Sequence, residues 1–335
     1  MPRRAEGTRK ETVKYSTLRN TLGSVAASIG KQYGIHIVLL TLVLFFSFAS
    51  EDFFASSNLL NVARQVSMMG IAAVGFSFVL LLGGIDLSIG SLVSLVNIVT
   101  AWLMVNAGWS PVPAVILALV LSAAVGFSNG WIIANLQMPP IIVTLAMMII
   151  IEGVAYLICR GLPIFGFPKS FSVIGQGYVG PVPIPVIIMA VIMGLGMFIL
   201  KNTYFGRYFY AVGGNEEAAE LSGIDVKRVK YLVYTLSGFF AGIAGIVILS
   251  RTNSGQVLSG KGLEFDVLTA CVLGGVSVSG GVGKISNVLA GILVLGVLSN
   301  GLVLLDVSQF VQMVIKGAVL LAAVALDCLQ HRKKT

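Results

Sequence analysis

LSIGSLVSLVNIVTAWLMVNAGWSPVPAVILALVLSAAVGFSNGWIIANLQMPPIIVTLAMMIII, residues 87–151, runs for 65 positions without an Asp, Glu, Lys or Arg. No single soluble core uses an uncharged stretch of that length. A helix needs about 20 apolar residues to cross a bilayer, so this run can cross about three times. Trp109-Ser110-Pro111 and Met138-Pro139-Pro140 are breakers that cut it into three. The rest of the 335-residue chain agrees, with 56% apolar and 11% charged residues and a mean hydropathy of +0.95. Soluble domains carry roughly 25% charge. Soluble enzymes, disordered chains and nucleic-acid binders are excluded despite the net charge of +8. Cys159, Cys271 and Cys328 are scattered, and His36 and His331 are the only histidines, so no Cys/His metal site is expected.

Outward from that run, uncharged stretches and breakers give ten segments, near 34–50, 60–82, 90–107, 112–135, 140–159, 185–200, 231–250, 263–280, 285–305 and 308–326. The expected fold is all-α: a polytopic membrane protein of about ten transmembrane helices with broken or re-entrant segments. Two stretches read either way, 83–90 and 263–280. The second starts with Glu264 and Asp266 and ends in Gly274-Gly275 and Gly280-Gly281. Broken backbone survives at membrane depth only where protein encloses it.

Charge orients the chain. The tail to Lys31 holds seven basic and two acidic residues, Lys201–Lys230 five and four, and the end after Leu326 three and one, which is 15 of the 22 Lys and Arg. By the positive-inside rule these regions are cytoplasmic. Residues 1–33 therefore read as a cytoplasmic tail, with Leu18, Leu22, Val25 and Ile29 on one face of an interfacial helix. Residues 34–327 read as a single transmembrane domain with a cytoplasmic loop at 202–230, and 328–335 as a cytoplasmic basic tail.

Leu82-Gly-Gly-Ile-Asp-Leu-Ser-Ile-Gly90 echoes Leu273-Gly-Gly-Val-Ser-Val-Ser-Gly-Gly281, and Ser128-Asn-Gly130 echoes Ser299-Asn-Gly301. Such faint repetition is either an internal duplication of the kind found in transporters or similarity between glycine-rich turns. In the 202–230 loop, Asn215 suits an N-cap. Glu216, Glu217 and Glu220 favour the first turns of a helix, Ala218 and Ala219 propagate it, and Gly223 stops it. A helix this short is unstable alone in water, so it is either a connector or a docking element for another protein.

Glu217-Ala218-Ala219-x-x-x-Gly223 resembles the EAA-x3-G signature of ATP-binding-cassette (ABC) importer permeases. Gly83-Gly-Ile-Asp-Leu-Ser-Ile-Gly-Ser91, Pro139-Pro-Ile-Ile-Val-Thr-Leu145, Thr203-Tyr-Phe-Gly-Arg207, Tyr210-Ala-Val-Gly-Gly-Asn215 and Val272–Gly281 are similar to the ribose/monosaccharide branch of those permeases, in order, from about residue 35 to 327. The resemblance implies a permease subunit of the bacterial inner membrane with both termini cytoplasmic. It implies a cytoplasmic ABC ATPase docking at Asn215, Glu216, Glu217, Ala218, Ala219 and Gly223, and an extracytoplasmic solute-binding protein that delivers a monosaccharide or similar polyhydroxylated solute. It also implies a second permease copy, identical or paralogous, among membrane lipid. No cofactor is expected in this chain, since ATP and Mg²⁺ belong to the partner ATPase, and no enzymatic activity of its own. The alternative is an ion-coupled secondary transporter, with Asp86, Glu152 and Lys316 as the intramembrane ionisable groups.

Sugar hydroxyls need amide and hydroxyl partners. Asp86, Asn97, Asn129, Thr144 and Asn300 are therefore the expected pathway residues, although the same types also join helices. Asp86 reads first as a cap of the next helix, with Ser88, and second as a pathway group. Lys316 reads as a snorkelling side chain or the partner of a carboxylate such as Asp86 or Glu152. Gly255-Gln-Val-Leu-Ser-Gly260-Lys261-Gly262 mimics a phosphate loop but has Gly where Ser or Thr should bind Mg²⁺, so no nucleotide is expected there. Gly238-Phe-Phe-Ala-Gly242 reads as a close helix contact. Phe165, Phe167, Phe171 and Tyr178 in the outer stretch suit either a partner surface or shielding.

Overall fold

A computed structural model describes residues 34–332. The tail at 1–33 and the interfacial helix expected from Leu18 to Ile29 lie outside the described residues. Every one of the ten expected segments falls on a helix. These are α1 (Gly34–Ala49), α2 (Ser56–Leu81), α3 (Ile89–Val105), α4 (Pro111–Asn135) and α5 (Pro140–Cys159), then, after a short α6 (Lys169–Gln176) and the hairpin β1 (Tyr178–Val179) and β2 (Val182–Pro183), α7 (Ile184–Asn202). Helices α8 (Tyr204–Gly214) and α9 (Glu216–Leu221) form the loop, and α10 (Val226–Thr252), α11 (Leu263–Leu273), α12 (Ile285–Leu304) and α13 (Gln309–Arg332) complete the chain. The prolines that break the long uncharged run start helices: α4, α5 and α7 each carry Pro in the first two positions, where its fixed φ is helical and its missing N–H is not needed.

The ten segments differ in length. Among the described residues seven helices are long and apolar enough to span a membrane, α1 and α3 are apolar but shorter, and α11 has only 11 residues. At 1.5 Å per residue α11 extends roughly 16 Å, about half of a hydrocarbon core. The eighth segment is thus a half-helix followed by irregular backbone. Helix α13 runs past the expected edge of its segment, to Arg332.

Helix α10 is the hub, and its small residues make it so. A Cβ at Gly238 would collide with Ser122 O of α4, and one at Gly126 of α4 would collide with Tyr234 O of α10. A Cβ at Gly130 would stand 2.9 Å from Lys230 O. On other faces of α10, a Cβ at Gly245 would lie 2.8 Å from Val93 O of α3, and one at Gly75 of α2 would lie 2.8 Å from Ser237 Cα. Close backbone approach of this kind supplies dispersion contact where lipid removes any hydrophobic drive between helices. Gly238 and Gly242 accordingly pack as the sequence suggests.

The outer stretch is partly folded in. Phe167 and Phe171 are buried, whereas Phe165 and Tyr178 stay exposed. Gly175 N donates to Ser250 Oγ at 2.7 Å, and that hydroxyl donates to Phe171 O at 2.7 Å. This ties α6 to the end of α10.

Gly126→Val should lower the thermal midpoint of the detergent-purified protein by the equivalent of about 1–3 kcal/mol, the usual cost of overpacking. Gly153→Ala, with open space where its Cβ would sit, should leave the midpoint unchanged. Equal midpoints for the two variants would contradict the α4–α10 contact.

Candidate functional site

The loop between α7 and α10 is built from two capped helices. Thr203 opens α8, its Oγ1 accepting from Gly206 N at 3.4 Å. Asn215 closes α8 and opens α9: its backbone N donates to Ala211 O at 3.1 Å, and its Oδ1 accepts from Ala218 N at 2.9 Å. Gly223 takes φ +85°, so that its N reaches Glu220 O at 2.9 Å and Ile224 N reaches Ala219 O at 3.1 Å. That is a left-handed glycine stop. Asp225 then caps α10, accepting from Arg228 N at 3.1 Å. Helix α9 rests on its neighbours through buried Ala219 and through Lys230 Nζ–Glu216 Oε1 at 2.6 Å. Glu217, Glu220 and Leu221 face solvent, Leu221 with 84% of its surface free. The sequence reading anticipates α9 but does not separate α8 from the loop.

Helix α8 sits against both interrupted membrane helices. At the end of α2, Gly83 (φ +76°) lets Gly83 N bond Leu80 O at 2.8 Å and Gly84 N bond Val79 O at 3.0 Å. At the end of α11, Gly275 (φ +79°) lets Gly275 N bond Val272 O at 2.9 Å and Val276 N bond Cys271 O at 3.0 Å. The two breaks share one hydrogen-bond pattern and touch: Gly281 N donates to Leu81 O at 2.9 Å. Gly213 of α8 lies in the same junction. A Cβ there would overlap Leu81 O and come within 2.7 Å of Gly281 N, and a Cβ on Gly280 would be 2.8 Å from both Gly213 O and Gly83 N. Tyr210 Oη donates to Gly283 O at 2.8 Å, and burial raises the Tyr210 phenol above its ordinary pKa, which keeps it a donor. Phe209, fully buried, packs on Phe78 of α2 with ring centroids 5.4 Å apart.

The expected pathway residues fall in three places. Asp86 is buried in the first break, where Oδ1 accepts from Ser88 N at 3.1 Å and Ser88 Oγ at 2.5 Å, and Oδ2 accepts from Ser237 Oγ at 2.8 Å. It makes a turn with Ser88 and does not cap α3 at its second or third residue. Asn129 Nδ2 donates to Ser88 Oγ at 2.9 Å, and Thr144 Oγ1 lies 3.1 Å from Ile85 O. These three hold the break to α4, α5 and α10. Asn97 accepts from Gln256 N at 2.9 Å, which fixes the connector after α10. Asn300 exchanges amide hydrogen bonds with Asn58 of α2, at 2.7 and 3.0 Å. None of the five lines either of two cavities, one of about 890 Å³ near Trp102 and Phe165 and one of about 390 Å³ near Gln65 and Ser259.

Lys316 of α13 pairs with Asp266 of α11 at 2.7 Å, a partner the sequence reading did not name. Further along α13, Asp327 Oδ2 accepts from Ser277 Oγ and Val278 N, both at 3.2 Å. Helix α13 therefore holds the half-helix near its start and the second break beyond its end. Among the described residues no group of His, Cys, Asp and Glu is placed to hold a metal ion.

A polytopic helical bundle in which the turns after α2 and α11 meet under the capped α8–α9 loop can now be compared with known proteins. The family described as "Branched-chain amino acid transport system / permease component" matches residues 58–324. The chain belongs to this permease family. It is 42% identical to the ribose import permease protein RbsC of Bacillus subtilis (strain 168) over 307 residues, covering 91% of this chain and 94% of the relative. It is 43% identical to RbsC of Escherichia coli (strain K12) over 298 residues, 87% and 92% of the two chains. The L-arabinose transport system permease protein AraH of Escherichia coli (strain K12) is 39% identical over 306 residues, 91% and 93%. No solved structure matches significantly. This permease is thus the membrane-spanning transport subunit of an ABC importer, a multi-pass inner-membrane protein that works with an ATPase and a solute-binding protein.

Gly213→Ala should displace α8 from the two breaks, because the added methyl group meets backbone with no freedom to move away. Transport by the assembled importer should fall at least tenfold. Gly214→Ala, with open space at the Cβ position, should transport normally. Uptake assays on membranes matched for permease content decide between them.

Proposed function

We propose that the chain carries a monosaccharide or a similarly small polyhydroxylated solute through the inner membrane, driven by an ATPase that docks on α9. The family's description names branched-chain amino acids. The relatives that match 87–91% of this permease at about 40% identity are named for ribose and L-arabinose, and they favour the sugar.

The observation that carries the mechanism is the seating of α8 on both helix breaks. Asn215, Glu216, Glu217, Ala218, Ala219 and Gly223 form the contact for the ATPase. When nucleotide closes the ATPase, α9 moves, and Gly213 and Tyr210 pass that displacement to the backbone at Leu81–Gly83 and Gly280–Gly283. Two interrupted helices then shift together between outward and inward states, whose differing affinities for the partners drive the cycle. Asp86, Asn129 and Thr144 keep the first break closed against α4, α5 and α10 in the state described, and Asn97 and Asn300 hold the outer connector and α12.

The permease pairs with a second copy, identical or paralogous. Its cytoplasmic surfaces are the tail at 1–33, the loop at 202–230 and the end at 328–335, with residues 34–327 as one transmembrane unit. ATP and Mg²⁺ are held by the ATPase and not by this chain. An ion-coupled mechanism finds less support, since the Asp86 carboxylate is satisfied by two serines and Lys316 is neutralised by Asp266.

Two experiments test this reading. Ser222→Cys in intact cells should resist a membrane-impermeant thiol reagent and react only after the membrane is opened; ready labelling of intact cells would reverse the topology. Gly223→Pro removes the N–H that bonds Glu220 O. It should leave a purified, folded permease that binds the ATPase but no longer couples it, so that loaded binding protein fails to stimulate ATP hydrolysis. Normal uptake by both Gly223→Pro and Glu217→Lys would reduce α9 to a connector.

A further inference from the structure

The smaller cavity, of about 390 Å³, lies between the first half of α2, the end of α10 and the start of α11. Gln65 and Met69 lie 16 and 12 residues along α2 from Leu81, which touches Gly213 of α8, so the cavity stands roughly 18–24 Å from α8, toward the outer end of the bundle. Part of its wall is Gln256–Lys261, within the stretch that mimics a phosphate loop in sequence.

Hydrogen-bond accounting distinguishes the lining groups. Thr252 Oγ1 is occupied by Ile248 O and Ser254 O, at 2.9 and 3.1 Å. Gln256 is fixed at both ends, its N to Asn97 and its side chain to Ser254 Oγ at 2.8 Å. Asp266 is held by Lys316. The Gln65 amide, the Ser259 hydroxyl and the Lys261 ammonium also line the cavity, and none of them bonds a described protein group. Together they offer donors and acceptors in several directions. Met68 and Met69, one turn along the same face of α2 from Gln65, add apolar and adaptable surface. A ring that carries both hydroxyls and C–H groups can use both kinds of surface, and a few placed polar groups in an otherwise apolar cavity are what orient a small ligand.

We propose that this cavity is the outer acceptance site for the solute, with Gln65 and Ser259 reading ring hydroxyls, Met68 and Met69 packing on the C–H face and Lys261 standing at the mouth. The inference rests on the importer reading above and adds the substrate contacts. The ligand class is neutral and polyhydroxylated: the groups left free at the lining are an amide and a hydroxyl with one cation at the mouth, while Arg64 lies over the Tyr178 ring at 4.8 Å and Arg251 is spent on Met68 Sδ of the cavity wall at 3.9 Å. The placement has a mechanical consequence. Asp266 at the cavity and Gly275 at the second break terminate the same half-helix, so solute and ATPase act on opposite ends of α11.

The probe is whichever of D-ribose, L-arabinose and D-xylose the reconstituted importer carries, with D-gluconate as the anionic comparison. In a Cys328→Ser background, Ser259→Cys in nanodiscs should react with a membrane-impermeant maleimide, and the carried sugar should slow that reaction at least fivefold. D-gluconate should not slow it, and Gln65→Leu should abolish the protection. In the reconstituted importer Gln65→Leu should lower sugar moved per ATP hydrolysed about tenfold, and Gln65→Asn should restore most of it. A carried sugar that gives no protection, or equal protection by D-gluconate, would overturn the acceptance site while leaving the importer reading intact. If none of the three sugars is carried, the sugar reading falls and the assignment of this cavity falls with it.

Discussion

A helix that stops within a hydrocarbon layer exposes carbonyl and amide groups that lipid cannot satisfy. Helix α11, with 11 residues, is too short to cross and makes such a stop, and its end meets the end of α2, a helix of 26 residues. Each is closed first by its own left-handed glycine, at Gly83 and Gly275, and then by surrounding protein. The need to bring backbone against backbone explains why the glycines of α8, Gly213 and Gly214, meet Gly83, Gly280 and Gly281. It also explains why α10 presents small residues on several faces, since a hub that touches α2, α3 and α4 cannot carry bulk at the crossings. The α8–α9 loop is then part of the packing that encloses both turns.

The breaks are stabilised by acids from different sources. The first carries its own carboxylate, Asp86, bonded to Ser88 and Ser237. The second has no acid between Gly274 and Lys284 and receives one from outside, Asp327 of α13, on Ser277 and Val278. The two junctions therefore differ in dependence: the first is secured mainly by α4, α5 and α10, the second by the last helix of the chain. A lever acting on both should find the second easier to release, because its carboxylate comes from α13.

Much of this architecture is legible in the sequence because run length, proline position and basic-residue bias are local quantities. Pro111 and Pro140 mark helix starts, and Asn215 and Gly223 bracket α9 where capping chemistry places them. What escapes is long-range. The side chains around Asp86 include Ser237, 151 positions away, and Lys316 finds Asp266, 50 positions away, because helix rotation and depth decide those pairings. Helix α8 escapes because eleven residues rich in Tyr, Phe and Gly resemble a connector until they have something to pack on. The outer cavity is assembled from four separate stretches, one of which looks like a nucleotide motif, so no local pattern announces it.

The repeated Leu-Gly-Gly carries a last consequence. By letters Leu82 aligns with Leu273, a spacing of 191, yet the left-handed glycines are Gly83 and Gly275, a spacing of 192. The two halves are thus out of phase by one residue, and a sequence alignment of the halves pairs the wrong atoms. A chimera that transplants one junction into the other by matching the letters keeps a glycine at each chain reversal, because Gly83 exchanges with Gly274 and Gly84 with Gly275. A graft shifted by one position, which matches the hydrogen bonds, would instead put Leu82 at Gly274, where a Cβ stands 2.6 Å from Val288 Cα, and Val276 at Gly84, where one stands 2.5 Å from Tyr234 Oη, so each turn is fitted to its own surroundings.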